Sequence, residues 1–545
     1  MAKTNFLFVV GGVMSSIGKG VTVSNIAKLL ADRNFNVSCV KIDPYINVDA
    51  GTMNPLEHGE VFVTKDGIEC DQDIGNYERF LNKDLSSRNY ITTGLIYKSV
   101  IDKERSFKYN GKCVEVVPDI TNEIIQRIND AAKKDKADFL IVEIGGTVGE
   151  YQNLIFLEAA RIMKLKNPKN VGFVLVSYLP IPDSVGEMKT KPTQYAVRSL
   201  NMAGIQPDFI VGRSKREIDE KRKSKLSVSC NIKKENVISA PDVKNIYSLV
   251  KYFEKDKFAE KILKHFNKKP IKKVNNKDWY DFLKVVEDIN LTKVKIAIVG
   301  KYFKTGDFTL LDAYISVIES IKYACWYNKV QPEIHWLNSE EYEKNPSKVR
   351  ELKNYHGVVV PGGFGSRGVE GKIRAIEYCR KNNIPYFGLC LGMQLACIEF
   401  ARNVCKIKDA TSGEFNPKAK NKIIDIMPDQ KVLLKEKKYG GTMRLGEYAC
   451  KIKKGTIAFS AYKKELIYER HRHRYEFNND YLEVLSSKGM VFSGINPEKN
   501  LVEIIELKNH PFFVGVQFHP EFKSRPIIGH PLYNEFIKVA KAKLR

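Results

Sequence analysis

No apolar run in this sequence approaches the ~18 residues that would suggest a membrane-spanning helix, so no membrane partner is expected. The run from Phe6 to Val13 could be mistaken for a signal core, but it is short and continues straight into Gly, Ser and Lys. It fits a buried first strand better, in a cytoplasmic protein. Paired cysteines are also missing. Ten cysteines lie scattered without a CxxC or regular spacing, which argues against a disulfide framework and against a zinc site. Acidic residues are in deficit, 64 against 89 Lys and Arg, for a formal net charge of +25. That balance ordinarily points to nucleic acid. Here the lysines occur singly or in short clusters such as Lys221-Arg222-Lys223 and Lys268-Lys269, without a repeated basic and aromatic pattern. No helix-turn-helix, RNP or zinc-finger signature accompanies them, so the expected polyanions are nucleotides and no nucleic acid partner is expected.

What is present begins with length. A chain of 545 residues exceeds the roughly 250 to 300 at which one hydrophobic core stops growing, so two domains are expected. The second half carries Gly388-Leu389-Cys390-Leu391-Gly392-Met393-Gln394, where the apolar run Ile384 to Phe387 stops at a thiol flanked by glycines. A strand that enters a helix through a tight turn holds its nucleophile exposed and strained only if its neighbours lack bulk. A base for the thiol follows in Gln517-Phe518-His519-Pro520-Glu521, after the strand Phe512 to Val516. In an extended segment His519 and Glu521 share a face, so Glu521 would orient the imidazole that activates Cys390. Upstream, Pro361-Gly362-Gly363-Phe364-Gly365 offers backbone N–H groups for an oxyanion hole. These motifs resemble the class I glutamine amidotransferases. The resemblance implies glutamine hydrolysis at Cys390, His519 and Glu521 through a thioester, releasing ammonia.

The first half opens with an apolar strand, Asn5 to Val10, then Gly11-Gly12-Val13-Met14-Ser15-Ser16-Ile17-Gly18-Lys19-Gly20, then a helical stretch, Val21 to Asp32. Such a loop turns consecutive N–H groups into a phosphate-binding nest at a helix N-terminus, with Lys19 beside it. The loop is longer than GxxxxGK[ST], and glycine stands where a magnesium-binding Ser or Thr would be. The apolar strand Phe139 to Val142 ends in Glu143-Ile144-Gly145-Gly146-Thr147-Val148-Gly149, and Asp71-Gln72-Asp73 adds further carboxylates. Carboxylates opposite a phosphate loop suit magnesium, so Asp73 and Glu143 are the expected metal ligands. A second basic constellation, Lys189-Thr190-Lys191-Pro192-Thr193-Gln194 with Lys225, reads as lysines held extended by Pro192 to clamp a second triphosphate.

In this order the phosphate loop, KIDPYIN, GTMNP, HGEVFV, YERF, VEIGGTVG, KTKPTQ and the glutaminase half resemble the CTP synthase family over nearly the whole chain. The resemblance implies an α/β fold of two doubly wound, largely parallel-sheet domains. These are an amidoligase domain, 1–268, a linker, 269–292, and a glutamine amidotransferase domain, 293–545. It implies amination of UTP at C4 with ATP, Mg2+ and nitrogen from glutamine, GTP as activator, CTP as feedback inhibitor, and a homotetramer. By matching positions, ATP would meet Ser16, Ile17, Gly18, Lys19, Gly20, Val21, Asp73, Pro241, Asp242 and Val243, with Lys19 and Lys41 stabilising transferred charge. UTP and CTP would meet Ser15, Lys189, Thr190, Lys191, Pro192, Thr193, Gln194 and Lys225, and glutamine would meet Gly363, Leu391, Gly392, Met393, Gln394, Glu414 and Arg474. Gly440 to Gly446 matches a loop associated with GTP activation. The family's Asp-Ile-Glu after GGTVG reads Glu150-Tyr151-Gln152 here, so weaker inhibition by CTP is expected. Two alternatives stay open from sequence: an amidoligase acting on a carboxylate through an acyl phosphate, and a basic nucleic-acid scaffold with a decayed core.

Overall fold

A computed structural model describes residues 3–54, 57, 59–301, 304–305, 308–309, 311–426 and 443–544. Pro55, His58, Tyr302, Leu310, residues 435–438 and residues 440–442 of the expected GTP loop lie outside the described residues. The chain forms two compact units, residues 1–50 with 73–277 and residues 51–72 with 278–545.

In the first unit seven parallel strands run in the order Tyr90–Thr92, Val37–Asp43, Phe139–Ile144, Asn5–Gly11, Val171–Tyr178, Phe209–Ser214 and Val237–Pro241. The central strands Asn5–Gly11, Val37–Asp43 and Phe139–Ile144 are buried at every position. A parallel sheet covered on both faces requires this, and it is why they read as continuous apolar runs rather than as alternation. Register then sets the chemistry. Lys41 on one side and Val9 on the other stand opposite Glu143, so the ligand-bearing ends of three neighbouring strands align.

The second unit holds a nine-stranded sheet. Its parallel part is Gln331–Asn338, Lys293–Gly300, Gly357–Val360, Tyr386–Leu389 and Phe513–Val516. Val502–Leu507, Met490–Ile495, Arg444–Ile452 and Leu466–His473 continue it antiparallel. The α/β expectation holds here with an antiparallel half added. The chain between Leu507 and Phe513 is too short for a crossover helix, so those two strands must meet as a hairpin.

Two features of the described chain refine the expected division. The stretch read as linker contains the helix Lys277–Glu287, whose Trp279, Phe282, Leu283 and Val286 are buried. Their i, i+3, i+4, i+7 spacing makes one apolar stripe, masked in the sequence by the lysines around it. Residues 51–72, read as part of the first domain, cluster instead with the second unit. They form the hairpin Val61–Val63 with Glu69–Asp71. Arg472 Nε donates to Glu69 Oε1 at 2.7 Å, Arg470 Nη1 donates to the Val63 carbonyl at 3.1 Å, and the Phe62 and Phe522 rings meet edge-on at 4.9 Å. Among the described residues no helix is long and apolar enough to cross a membrane.

Candidate active sites

In the second unit, Cys390 sits between the strand Tyr386–Leu389 and the helix Leu391–Asn403 with φ 49° and ψ −101°. A non-glycine residue in that region is strained, and the surroundings hold it there. Its N–H donates to the Val516 carbonyl at 2.7 Å. A Cβ on Gly392 would stand 2.2 Å from the Val360 carbonyl oxygen, and one on Gly388 would stand 2.5 Å from the Tyr386 hydroxyl, so neither position admits a side chain. The sulfur lies 3.7 Å from Gln517 Nε2 and 3.9 Å from the Arg472 carbonyl.

His519 closes on this point. A Cβ built on Gly362 would lie 3.0 Å from His519 Cε1 and 3.6 Å from Cys390 Cβ, so glycine, imidazole and thiol converge. His519 Nδ1 and Glu521 Oε1 are 2.7 Å apart, and Phe522 stacks on the imidazole at 5.1 Å. The expected extended His-x-Glu segment is instead a tight turn: Pro520 begins the 3-10 helix Pro520–Lys523, whose fixed φ folds Glu521 back to the ring. Burial alone would lower the His519 pKa, but the facing Glu521 carboxylate and then the Cys390 sulfur raise it to about 10. Nε2, the other ring nitrogen, is buried and turned away from Glu521.

The Pro361 to Gly365 turn is fixed from two sides. Gly365 N–H donates to Glu414 Oε1 at 2.7 Å, and the Lys301 amine donates to the Phe364 carbonyl. Burial raises the Glu414 pKa, opposed by that N–H, by Lys301 and by Arg474. Leu391, Gly392, Met393 and Gln394 form the first turn of the helix after Cys390, and Gly363 lies in the turn that follows the strand Gly357–Val360. Gln394 is buried, its Nε2 donating to the Tyr475 carbonyl at 2.9 Å.

In the first unit the phosphate loop closes on a helix from Lys19 to Ala31, with Gly18 at φ 87° and Ser16 at φ 54°. Ser15 and Ser16 are exposed, Ile17 and Gly20 buried. Lys19 Nζ crosses to the Gly146 carbonyl at 2.8 Å. Lys41 Nζ bridges Asp73 Oδ2 at 2.5 Å and Glu143 Oε1 at 3.0 Å, and the Tyr77 hydroxyl donates to Glu143 Oε2. A Cβ on Gly20 would overlap Asp73 Oδ1, so that carboxylate lies against the start of the phosphate-loop helix. Burial pushes Asp73 upward, but Lys41, Asn76 and Lys19 hold it below the usual carboxylate range. Glu143 is raised by burial, against the pull of Lys41. Burial also lowers Lys19, partly offset by Glu143. Among the described residues no three His, Cys, Asp or Glu side chains form a preformed metal cage. Two carboxylates beside a phosphate loop nonetheless fit Mg2+, which takes one or two carboxylates and completes its shell with phosphate oxygens and water.

Sequence comparisons decide between the readings left open. Residues 5–268 match the family described as "CTP synthase N-terminus", and residues 309–539 match "Glutamine amidotransferase class-I". The CTP synthase of Caldanaerobacter subterraneus is 50% identical over 540 residues, covering 99% of this chain and 98% of its own. That of Clostridium acetobutylicum is 48% identical over 540 residues, covering 99% of both. The chain belongs to the CTP synthase family. A solved glutaminase domain of the Trypanosoma brucei CTPS, with bound acivicin, is 38% identical over 46% of this chain and 94% of its own, with a TM-score of 0.42.

The remaining positions expected from the CTP synthase resemblance fall in three places. Asp242 Oδ1 accepts from Arg213 Nη2 at 2.8 Å, and Arg213 Nη1 reaches the Ile17 carbonyl at 3.4 Å, which ties the Pro241-Asp242-Val243 turn to the phosphate loop. Lys191, Pro192, Thr193 and Gln194 do not form the extended clamp expected. They are the first turn of the helix Lys191–Met202, because proline is preorganised for that position. Thr193 and Gln194 are buried there, with Gln194 Nε2 donating to Thr190 Oγ1 at 3.1 Å. Lys189 pairs with Glu187 at 2.8 Å, Arg222 pairs with the same carboxylate at 2.7 Å, and exposed Lys225 is one turn beyond Arg222. Among the described residues no hydrogen bond or ion pair joins Lys189 or Lys225 to the phosphate loop. Tyr151 and Gln152 line a cavity of about 640 Å³ with Tyr45, Ile46, Val116 and Leu154, and Glu150 precedes them.

Tyr77, Arg213, Gln517 and Phe522 join these sites although sequence reasoning assigned them no role. Tyr77 and Gln517 lie inside motifs already singled out, YERF and Gln-Phe-His-Pro-Glu, and Phe522 directly follows the second. Arg213 had no local signal, because its role arises from three strands meeting at one end of the sheet.

Proposed function

We propose that this chain makes CTP, aminating UTP at C4 with ATP and with ammonia from its own glutamine hydrolysis. The observation that carries the reading is the coexistence in one chain of a strained Cys390 facing a Glu521-held His519 and a Lys19–Lys41–Asp73–Glu143 cluster at a phosphate loop.

In the glutaminase half, the Cys390 thiolate attacks the glutamine carboxamide, and the oxyanion is met by backbone N–H groups of the Gly363 turn and of Leu391. Protonated His519, stabilised by Glu521, delivers its proton to the departing nitrogen, and ammonia leaves as the thioester forms. The imidazole then takes a proton from the water that releases glutamate. Arg474 suits the α-carboxylate of glutamine and Glu414 its ammonium, with Leu391 to Gln394 lining the approach.

In the synthase half, phosphorylation of the uracil O4 converts a poor leaving group into a good one, and ammonia displaces phosphate at C4. Ser16 to Val21 cradle ATP phosphates, with Asp73 and the Pro241-Asp242-Val243 turn at the nucleotide. Lys19 and Lys41 stabilise charge on the transferred phosphoryl group. Asp73 and Glu143 would hold Mg2+, which supplies Lewis-acid neutralisation of the phosphate charge. Lys41, which bridges both carboxylates, would yield part of that contact to the ion. Ser15, Lys189 to Gln194 and Lys225 bind UTP and CTP, in a homotetramer whose nucleotide sites lie near subunit interfaces. GTP activates, CTP inhibits through Glu150, Tyr151 and Gln152 less strongly than in relatives with Asp-Ile-Glu, and the enzyme works in the cytoplasm. Ammonia is protonated and unreactive once in neutral water, so an internal passage between the two reactions is part of the proposal.

The test is CTP formation from UTP, ATP and magnesium by the purified chain, with glutamine and with ammonium chloride in parallel. CTP from both donors is expected. CTP from ammonium alone would locate a fault in the glutaminase or its activation, and CTP from neither, with the protein folded, would sink the reading.

A further inference from the structure

The helix Val369–Lys381 follows the oxyanion turn and packs on the helix that begins beside Cys390. Its core-facing stripe runs Lys372, Ala375, Ile376, Cys379, at i, i+3, i+4 and i+7. Three of these are ordinary core residues. The fourth is a lysine at 0% exposure whose Nζ has no hydrogen-bond partner among the described residues. Long cationic side chains normally snorkel to water, and buried charges are normally paired. Lys372 does neither.

The charged groups around it leave few partners. On the elements packed against this helix, Glu340 pairs with Arg367, Glu343 accepts from the Glu370 and Gly371 N–H groups, Glu351 accepts from Tyr342, and Glu399 pairs with Arg380. Glu370, on its own helix, is taken by Arg402. The Lys372 helix packs on the one that begins beside Cys390, and Lys301 and the Cys390 sulfur act on the amine in opposite directions.

We infer that Lys372 is a positioning residue for the nucleophile: its dry, unpartnered amine, on the helix packed against the helix that begins beside Cys390, favours the Cys390 thiolate by placing positive charge near it. The amine is well suited to this. Burial, followed by repulsion from Lys301, lowers its pKa to about 7 against the opposing pull of Cys390, so its charge responds to small changes near neutral pH. The coupling is reciprocal, so consuming the thiolate as a thioester removes support for the charged amine. The inference rests on Cys390 being the nucleophile.

The experiment compares the full-length protein with Lys372→Met, an apolar side chain of similar length. Iodoacetamide alkylation of Cys390 is followed by peptide mass against pH, alongside residual glutamine hydrolysis. The expected result is a profile displaced to higher pH in the variant, with about tenfold slower alkylation at pH 7, corresponding to one pKa unit. Superimposable profiles overturn the inference while leaving the nucleophile assignment intact. Hydrolysis that survives complete alkylation of Cys390 overturns that assignment and the inference with it. Should the variant fail to fold, the natural protein is labelled with 13Cε-lysine and titrated by NMR before and after Cys390 alkylation. One lysine titrating near neutrality and moving down on alkylation supports the coupling; none titrating there, or one that does not move, overturns it.

Discussion

Each unit has its candidate site at the carboxyl ends of its own parallel strands, and the two are built in opposite ways. The first gathers charge: Lys41 stands between Asp73 and Glu143, Lys19 reaches the Gly146 carbonyl, and the glycine loop leaves Ser15 and Ser16 open to a ligand. The second gathers strain and a single orientation: Cys390 is forced to φ 49°, and Glu521 holds one imidazole against it. Phosphoryl transfer spreads charge over several oxygens and needs distributed cations. Acyl transfer needs one nucleophile at one angle. The difference teaches that a shared α/β frame fixes where a site lies, while the reaction decides whether that place is filled with charge or with geometry.

Removing the nucleophile separates the two units most sharply. Cys390→Ala is expected to lower glutamine-dependent CTP formation by about 10⁶-fold, the scale of losing a triad nucleophile, while synthesis from ammonium salts persists. Equal loss with both donors would show that Cys390 also supports the synthase site or the fold.

Glu521→Gln should cost glutamine hydrolysis about 10⁴-fold, the scale of losing a triad carboxylate. It should also return His519 from about 10 toward an ordinary imidazole value. A raised folded-state pKa means the folded protein holds this proton more tightly. Its stabilisation is therefore complete below the unfolded imidazole pKa of about 6.5 and is lost as pH rises through about 10. Thermal melts at pH 7 and pH 10.5 should differ less in Glu521→Gln than in the natural protein; an unchanged difference would remove Glu521 as the cause.

Lys41→Met strikes the other unit. It leaves Asp73 and Glu143 facing each other without the amine between them. Synthesis from both donors should fall about 10³-fold, on the scale of removing a preorganised charge contact, with basal glutamine hydrolysis retained. Loss confined to glutamine would contradict the division of labour.

The smallest effect concerns feedback. Gln152→Glu restores the carboxylate at the third position of the family's Asp-Ile-Glu and should tighten CTP inhibition severalfold, about 1 kcal/mol for one added charged contact, with kcat little changed. An inhibition constant that does not move would leave Gln152 outside the product site.

Much of both sites was legible because their signals are local. The elbow is written in the glycines at 388 and 392, whose missing side chains are demanded by the Val360 carbonyl and the Tyr386 hydroxyl. The phosphate loop announces itself by glycines between an apolar strand and a helix. Local patterns misled where neighbours compete: Pro192 suggested extension, yet it begins a helix, since proline both restricts what precedes it and suits a helix's first turn. Lysines hid the apolar stripe of Trp279, Phe282, Leu283 and Val286, because a stripe of four positions needs only four apolar residues in eleven.

The sequence by itself determined the two α/β units, the strained thiol, the Glu-held imidazole and the glycine loop, since each depends on residues close along the chain. Tertiary structure alone decided that Lys41 stands opposite Glu143, that Arg213 bridges Ile17 and Asp242, that residues 51–72 join the second unit, and that Lys372 is left dry. Those outcomes depend on register and on which elements meet, and residues hundreds of positions apart carry no local trace of meeting.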